Sequence, residues 1–195
     1  MAEVELPNVE ELDEARGKRF PKRVALTTAI FAVMLAITSL GGNNAIKEML
    51  LAQQQSSDQW AFYQSKVIRQ NLYNIEKMRI ETELLKSEPS MKPEVRDKYA
   101  SMLKKISDEE GRYDAEKKKI EQEAKGFEHE RDINRSKDPY FDYAEVLLQI
   151  SIVMASISIL AVSRQIFYFA SAAAGLGTAF MLNGYLLLIR ITFFH

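Results

Sequence analysis

Residues 24–40 read VALTTAIFAVMLAITSL, an apolar stretch of about 17 residues that contains no charged side chain. Gly41, Gly42, Asn43 and Asn44 follow, and these neutral residues can extend a helix to the roughly 20 residues that cross a bilayer. The alternative is a cleaved signal peptide with its cleavage site near residues 39–41. It is less favoured because the stretch is long for a signal peptide and the leader before it contains acidic residues. We therefore expect a first transmembrane helix over residues 24–44.

Two further apolar stretches lie near the C-terminus and predict transmembrane helices over residues 138–163 and 166–190. Asp138 and Pro139 are residue types that favour a helix start, as an N-cap followed by proline at the first helical position. Only a few residues around Arg164 separate the two stretches. The two helices are therefore expected to form a tight antiparallel pair.

The overall composition narrows the classes of function. The chain has 195 residues, with 26 lysines and arginines against 27 aspartates and glutamates, and a formal net charge of −1. Nucleic-acid binding generally needs a basic excess, so no nucleic-acid partner is expected. The absence of cysteine excludes disulfides, thiolate metal sites and cysteine nucleophiles.

Residues 45–137 are rich in charge and predict two long helices joined by a turn. Residues 45–86 contain no proline or glycine, and residues 87–93 read SEPSMKP, which breaks the helix. Ile68, Leu72 and Ile75 recur at a spacing of three to four residues. A near-heptad stripe follows in the second helix: Val95, Tyr99, Met102, Ile106, Tyr113, Ile120, Ala124 and Phe127.

These patterns predict an all-α membrane protein with three transmembrane helices and a long antiparallel coiled-coil hairpin outside the membrane, between the first and second spans. A turn centred near Ser90 fixes an expected register. The expected neighbours are Gln53 with Phe127, Trp60 with Ile120, Ile68 with Tyr113, and Leu72 with Ile106 or Ser107.

Positive charge near the ends of the spans predicts the orientation. Residues 1–23 form a basic leader that carries Arg16, Lys18, Arg19, Lys22 and Arg23. Under the positive-inside rule this leader lies in the cytoplasm, and the hairpin then lies in the periplasm or outside the cell.

The hairpin contains the first group of candidate contact residues, which lie just beyond the first span: Gln53, Gln54, Ser57, Trp60 and Phe62. Glutamines here could form hydrogen-bonded layers between copies of the chain or line a wet vestibule. The other interpretation is that Trp60 and Phe62 pack against the opposite arm while the glutamines face water.

The third span contains the second group. Ser171, Gly175 and Ala179 form a ladder of small residues, which permits close contact between helices in a membrane. This ladder could contact the other spans of the same chain or another copy. Asn183 is expected to form a hydrogen bond between helices.

Chemistry-bearing motifs are weak throughout the sequence. His129 lies between Glu128 and Glu130 but lacks the second histidine of the zinc-protease pattern. Acidic and basic residues are absent from the middle of the spans, whereas pumps and ion-coupled transporters generally place ionisable groups there. We expect no enzyme activity, no metal site and no cofactor.

Residues 50–66 read LLAQQQSSDQWAFYQSK. This string resembles a bacterial membrane-protein family catalogued as domain of unknown function 4337, and the order of one span, signature, charged helices and two closing spans is also similar. The resemblance implies a bacterial inner-membrane location. It implies no activity and identifies no functional residues.

Three hypotheses of function remain open at this point. The first is a non-enzymatic structural or scaffolding protein that self-associates into a homo-oligomer in the lipid bilayer. The second is an oligomeric passive channel with Gln53 to Ser57 at its mouth. The third is an accessory subunit whose hairpin binds an unidentified periplasmic protein.

Overall fold

The computed structural model describes residues 9–87 and 91–189, with side chains over residues 19–86 and 91–189. Three helices make up this part of the chain: α1 (Val9–Ser87), α2 (Pro93–Leu160) and α3 (Arg164–Leu186). No strand occurs in the described ranges. All three helices are long and apolar enough to cross a membrane by length and composition. The all-α prediction is therefore confirmed.

Two of these helices are much longer than a single span. α1 has 79 residues and α2 has 68, and each continues from an apolar stretch into the charged hairpin without a break. The helix start expected at Asp138 and Pro139 is wrong, because Pro139 lies inside α2. A proline in a helix removes one backbone hydrogen bond. This loss affects a single turn, and α2 continues on both sides of it.

The connection between α2 and α3 lies earlier than expected. Arg164 already begins α3, and the turn consists of the three preceding residues. Val162 adopts a left-handed conformation with φ of 49°, and the amide of Ser163 donates a 3.1 Å hydrogen bond to the carbonyl of Ser158. α3 ends at Leu186, before the expected residue 190, which itself lies outside the described residues.

The chain divides into two compact units, the first formed by the segments Met1–Glu48 and Ile133–His195 and the second by Met49–Asp132. We refer to them as the apolar unit and the hairpin unit. The apolar unit packs all three helices around two small clusters. One contains Val24, Ala155 and Ala170, and the other contains Phe31, Leu148 and Ala174.

A cage of glycines around Phe141 closes one end of the apolar unit. The Phe141 ring is only 3% exposed. A Cβ atom built on Gly41 would lie 2.6 Å from its Cε1 atom, and one on Gly42 or Gly184 would lie 3.1–3.2 Å from other Phe141 atoms. Tyr185 packs edge-on against the same ring at 5.0 Å between centroids, and its hydroxyl donates a 3.0 Å hydrogen bond to the carbonyl of Ile37. Glycine is needed here because the aromatic ring occupies the space of a side chain.

The hairpin unit packs α1 against α2 along one face of each helix, which we call the seam. On α2 the seam agrees with the predicted stripe at four positions, Ile106, Tyr113, Ile120 and Ala124, each at most 7% exposed. Tyr99 and Phe127 are partly buried, whereas Val95 and Met102 are 42% and 39% exposed.

The stripe predicted for α1 is wrong. Ile68, Leu72 and Ile75 are 61%, 62% and 59% exposed and lie away from the seam. The α1 side of the seam instead contains small, aromatic and long polar residues and one isoleucine, at spacings of three, four or seven residues: Ala52, Ser56, Tyr63, Lys66, Tyr73, Lys77 and Ile80. Long lysine side chains suit such a seam because their stems cover apolar surface while the ammonium groups reach acidic partners.

The register also differs from the expected one by one to two helical turns. The observed pairs are Gln53 with Arg131 in place of Phe127, Trp60 with Glu128 in place of Ile120, and Tyr73 rather than Ile68 with Tyr113. Side chains on a helix lean toward its N-terminus. In an antiparallel pair the two sets lean in opposite directions along the hairpin, so contacting residues lie further from the turn on α2 than a count from the turn indicates.

Candidate functional site

The structure describes side chains over residues 19–86 and 91–189. No group of three or more histidine, aspartate or glutamate side chains in this part of the chain is placed to hold a metal ion. We therefore describe two exposed helix faces whose residue types are typical of helix packing.

The first surface lies on α1 in the hairpin unit, and we call it the outer stripe. It consists of Ile68, Leu72 and Ile75, which follow one another at spacings of four and three residues and share one face of the helix. About three fifths of each side chain is exposed. Branched apolar residues at this spacing are typical of a helix face that packs against another helix.

On the other side of α1, the lysines of the seam form ion pairs with acidic residues of α2. Lys66 forms an ion pair with Glu116, and its ammonium lies 5.1 Å from the ring centroid of Phe62 and 5.3 Å from that of Tyr113. Lys77 pairs with Glu110 at 2.9 Å. The charges of the seam therefore have partners within the hairpin.

These ion pairs alter the titration of their members. The hydrogen bond from Lys66 lowers the pKa of the Glu116 carboxyl, and the hydrogen bond to Glu110 raises the pKa of the Lys77 ammonium. Near the turn, the hydroxyl of Tyr99 donates a 3.1 Å hydrogen bond to Glu83, which raises the pKa of the tyrosine. Each shift favours the state that makes the contact between the two arms.

The candidate residues at the base of the hairpin are mostly engaged within the unit. The indole N–H of Trp60 donates a 2.9 Å hydrogen bond to Glu128 Oε1. Gln53 accepts a 3.1 Å hydrogen bond from Arg131, and Gln54 donates one of 2.9 Å to Asp58. The exposed Ser57 and the half-exposed Phe62 complete the group.

One member of this polar run was missed by the sequence analysis. Ser56, next to the predicted Ser57, is 2% exposed and lies on the seam. Ser56 could have been found from its spacing. It lies four residues after Ala52 and seven before Tyr63, so the three residues share the face of α1 that forms the seam.

The second open surface lies on α3 in the apolar unit. Gly175 and Ala179 are exposed, and Ser171 is partly exposed with its hydroxyl bonded to the carbonyl of Phe167 at 2.9 Å. A Cβ atom on Gly175 would meet nothing within 4 Å. We call this face the small-residue ladder, and no part of the described chain packs closely against Gly175.

A different set of α3 residues, all small except Met181, is buried against the rest of the apolar unit: Ala170, Ala173, Ala174, Gly177, Met181 and Gly184. A Cβ atom on Gly177 would lie 3.2 Å from the carbonyl oxygen of Ala144 and 3.1 Å from Leu148. The contact within the chain therefore uses this face, and the ladder of Ser171, Gly175 and Ala179 is left outward.

Asn183 does not form the expected hydrogen bond between helices. Its side chain closes the C-terminal end of α3, donating to the carbonyl of Ile189 at 2.8 Å and accepting from the Ile189 amide at 2.9 Å. Its own carbonyl accepts a 2.7 Å hydrogen bond from the amide of Leu187, whose φ of 48° turns the chain out of the helix. Asn183 is therefore a capping residue in this structure.

The comparisons with known proteins identify a family and no relative of known function. The family model described as Domain of unknown function (DUF4337) matches residues 20–187. No curated protein and no solved structure matches the chain.

Proposed function

The chain belongs to the family described as Domain of unknown function (DUF4337), and we propose that it is a non-enzymatic integral membrane protein that self-associates into a structural or scaffolding assembly. The observation that carries this proposal is the outer stripe. Ile68, Leu72 and Ile75 are the residues of a helix interface, yet each remains about 60% exposed in the single chain.

Membrane insertion is supported by the apolar surface of the unit that contains α3. Large apolar side chains are exposed along one helix after another: Leu26, Ile30, Val33, Leu40, Val146, Ile150, Val153, Ile157, Leu176 and Leu182. In water a continuous apolar surface of this kind leads to aggregation. In a bilayer it is the surface that contacts lipid.

Self-association of the hairpin is supported by the ion pairs between its two arms. Because Lys66 and Lys77 already pair with acidic residues across the hairpin, the outer stripe is an apolar surface that is left for another helix. Covering one of its half-exposed side chains is worth on the order of 1–2 kcal/mol. A second copy offers the same stripe, so a two-fold contact satisfies both chains with one surface.

The small-residue ladder on α3 supports the same proposal independently. Apolar side chains gain little by exchanging lipid for a neighbouring helix, so association in a membrane depends on close packing of small residues. Ser171, Gly175 and Ala179 present such a face outward, with open space above Gly175. The ladder therefore suits a contact between copies.

The hydroxyl groups of the apolar helices favour a scaffold over a channel. A channel needs polar groups directed into a shared lumen. In this chain the hydroxyls bond to the carbonyl of a preceding turn of their own helix, at 2.6–2.9 Å, in eight residues: Thr27, Thr28, Thr38, Ser151, Ser156, Ser158, Ser171 and Thr178.

For location we propose the inner membrane of a bacterium, with the N-terminus in the cytoplasm and the hairpin on the opposite side. Arg19, Lys22 and Arg23 precede the first apolar stretch, and Arg164 lies at the turn between α2 and α3. Positive residues at these two positions support a cytoplasmic location for both.

Cysteine cross-linking in membranes tests the proposed self-association. The natural chain has no cysteine, so Leu72→Cys introduces a single reactive thiol in the outer stripe. We expect a short bis-maleimide to convert this variant to a covalent homodimer. Asn74→Cys is the matched control, because Asn74 is also exposed on α1 but lies outside the stripe.

Two results would reject the proposed contact. Equal homodimer yield at residues 72 and 74 indicates random collision, and Leu72→Cys adducts that contain only a different protein favour the accessory-subunit hypothesis.

A further inference from the structure

A recess of about 410 Å³ opens in the apolar unit where residues 19–23 of α1 lie beside the first residues of α3. Three arginines and three aromatic residues line it: Arg19, Phe20, Arg23, Arg164, Phe167 and Tyr168. No carboxylate is among these lining residues. The cavity brings together positive charges from two helices that are far apart in sequence.

Within the part of the chain that the structure describes, Arg19, Arg23 and Arg164 take part in no ion pair, whereas many lysines and arginines of the hairpin do. Arg19 and Arg23 are also four residues apart on one helix face, where like charges repel. A bound anion would relieve this repulsion and use the planar donor groups of the guanidinium side chains.

The N-terminus of α3 adds to the positive potential at the same place. α3 begins at Arg164, and its N-cap residue Ser163 makes no side-chain capping hydrogen bond. The first amides of a helix have no partner within the helix, and the helix dipole places partial positive charge there. An anion beside Arg164 therefore interacts with the helix end as well as with the side chains.

The aromatic residues indicate the source of the anion. Phe20 and Phe167 pack edge-on at 6.1 Å between centroids and lie against the cluster of Val24, Ala155 and Ala170. Tyr168 is 67% exposed beside them. A cationic rim over an apolar floor at the end of apolar helices matches an amphiphile, with a phosphate at the rim and acyl chains along the helices.

We propose that this recess binds the phosphate headgroup of an anionic phospholipid, with Arg19, Arg23 and Arg164 as its ligands. The inference goes beyond self-association and takes membrane insertion as its premise. Binding in detergent micelles tests it separately, because orientation and assembly in a bilayer do not affect that measurement.

Native mass spectrometry of the full chain with added lipid is the test. Phosphatidylglycerol and phosphatidylcholine with identical acyl chains are titrated separately against the wild type, Arg164→Gln, Arg23→Gln and Lys22→Gln. Lys22 is the matched control because it is exposed and precedes the same span without lining the recess. Lys22→Gln therefore removes one positive charge, as the arginine variants do.

We expect phosphatidylglycerol to bind the wild type more tightly than phosphatidylcholine. Arg164→Gln and Arg23→Gln should each weaken that binding about fivefold, the effect of one basic residue at an anionic headgroup. Lys22→Gln should weaken it by less than about twofold, because Lys22 contributes only through the general field.

Equal losses for Lys22→Gln and Arg164→Gln would overturn the proposal, since they indicate a diffuse surface charge. Equal binding of the two lipids to the wild type would also overturn it. A third arm uses inorganic phosphate in place of lipid. Binding of phosphate as tight as that of phosphatidylglycerol would overturn the assignment to a lipid, because the aromatic floor would then contribute nothing.

Discussion

The indole N–H of Trp60 on α1 donates a 2.9 Å hydrogen bond to the Glu128 carboxylate on α2, across 68 residues of sequence. The Trp60 ring also packs edge-on against Tyr63 at 5.4 Å between centroids. One residue of the family-like signature string thus joins the two arms of the hairpin by a charge-assisted hydrogen bond.

Trp60→Phe removes this hydrogen bond and keeps most of the aromatic packing. Hydrogen bonds to charged groups are worth about 1.5–3 kcal/mol, and partial exposure lowers that value here, so we expect a loss of about 1 kcal/mol. Hydrogen exchange at a fixed pH should be faster in residues 49–132. Asn74→Ala, at an exposed position on the same helix, should not accelerate the exchange; similar acceleration in both variants would contradict the role of the Trp60 bond.

Gly41→Ala and Gly111→Ala should have opposite effects on stability. A Cβ atom on Gly41 would lie within 2.8 Å of the rings of Phe141 and Tyr185, and the buried Phe141 ring is already confined by two other glycines. Overpacking of this kind typically costs about 1–3 kcal/mol. Gly111 lies in open space on α2, where alanine stabilises a helix by about 0.5–1 kcal/mol.

Thermal unfolding of the detergent-purified chain measures both changes. We expect a lower midpoint for Gly41→Ala and an equal or higher midpoint for Gly111→Ala. A Gly41→Ala protein as stable as the wild type would mean that the Phe141 cage accommodates a methyl group.

The stability of the hairpin should fall in acid. In the folded state the pKa of Glu116 lies below its ordinary value of 4.5 because of Lys66. The contribution of this pair is therefore present above pH 4.5 and is lost as the pH falls through the lowered pKa. The pKa of Lys77 is raised above 10.5, so its contribution is complete below that pH and is lost only as the pH rises through the raised value.

Fluorescence of Trp60, the single tryptophan of the chain, reports unfolding of the hairpin at each pH. We expect the midpoint to be level through the neutral range and to decline in acid below about pH 4.5. Glu116→Gln should reduce the acid-dependent part of that decline, whereas Glu94→Gln, at an exposed position near the start of α2, should retain it. An unchanged decline in Glu116→Gln would show that another group carries the effect.

The proposed orientation is tested at the end of the hairpin. Lys92→Cys places a single thiol just before α2 begins. We expect a membrane-impermeant maleimide to label it in cells whose inner membrane is intact. Labelling that requires lysis would reverse the proposed topology.

The apolar helices could be predicted from the sequence because uninterrupted apolar stretches have few alternatives in a folded protein. The break between α1 and α2 was equally accessible, since two prolines and a polar stretch end a helix for local reasons. The continuity of α2 through Pro139 could not be predicted from the sequence. A proline and a preceding aspartate carry the same local signal at a helix start and at a bend inside a long helix, and the flanking structure decides between them.

The packing face of the hairpin shows a second limit. Ile68, Leu72 and Ile75 were assigned to the interface between the arms because they are apolar and regularly spaced. The seam instead uses Lys66 and Lys77, whose value depends on Glu116 and Glu110 lying opposite. That pairing depends on which residues of the two arms lie opposite each other. Because side chains lean toward the N-terminus of each helix, a count of residues from the turn does not give these pairs correctly. The predicted contact of Ile68, Leu72 and Ile75 with the other arm is therefore wrong, and their contact with another helix is a proposal.

The mass of the detergent-purified protein, with the detergent contribution subtracted, tests self-association most directly. It should be measured for the wild type, Gly175→Leu and Gly126→Leu, two positions at which an added Cβ atom would meet nothing within 4 Å in the single chain. We predict a discrete oligomer for the wild type and for Gly126→Leu, and a monomer for Gly175→Leu, because a leucine on the small-residue ladder prevents close helix contact. A monomer in all three samples would contradict the account.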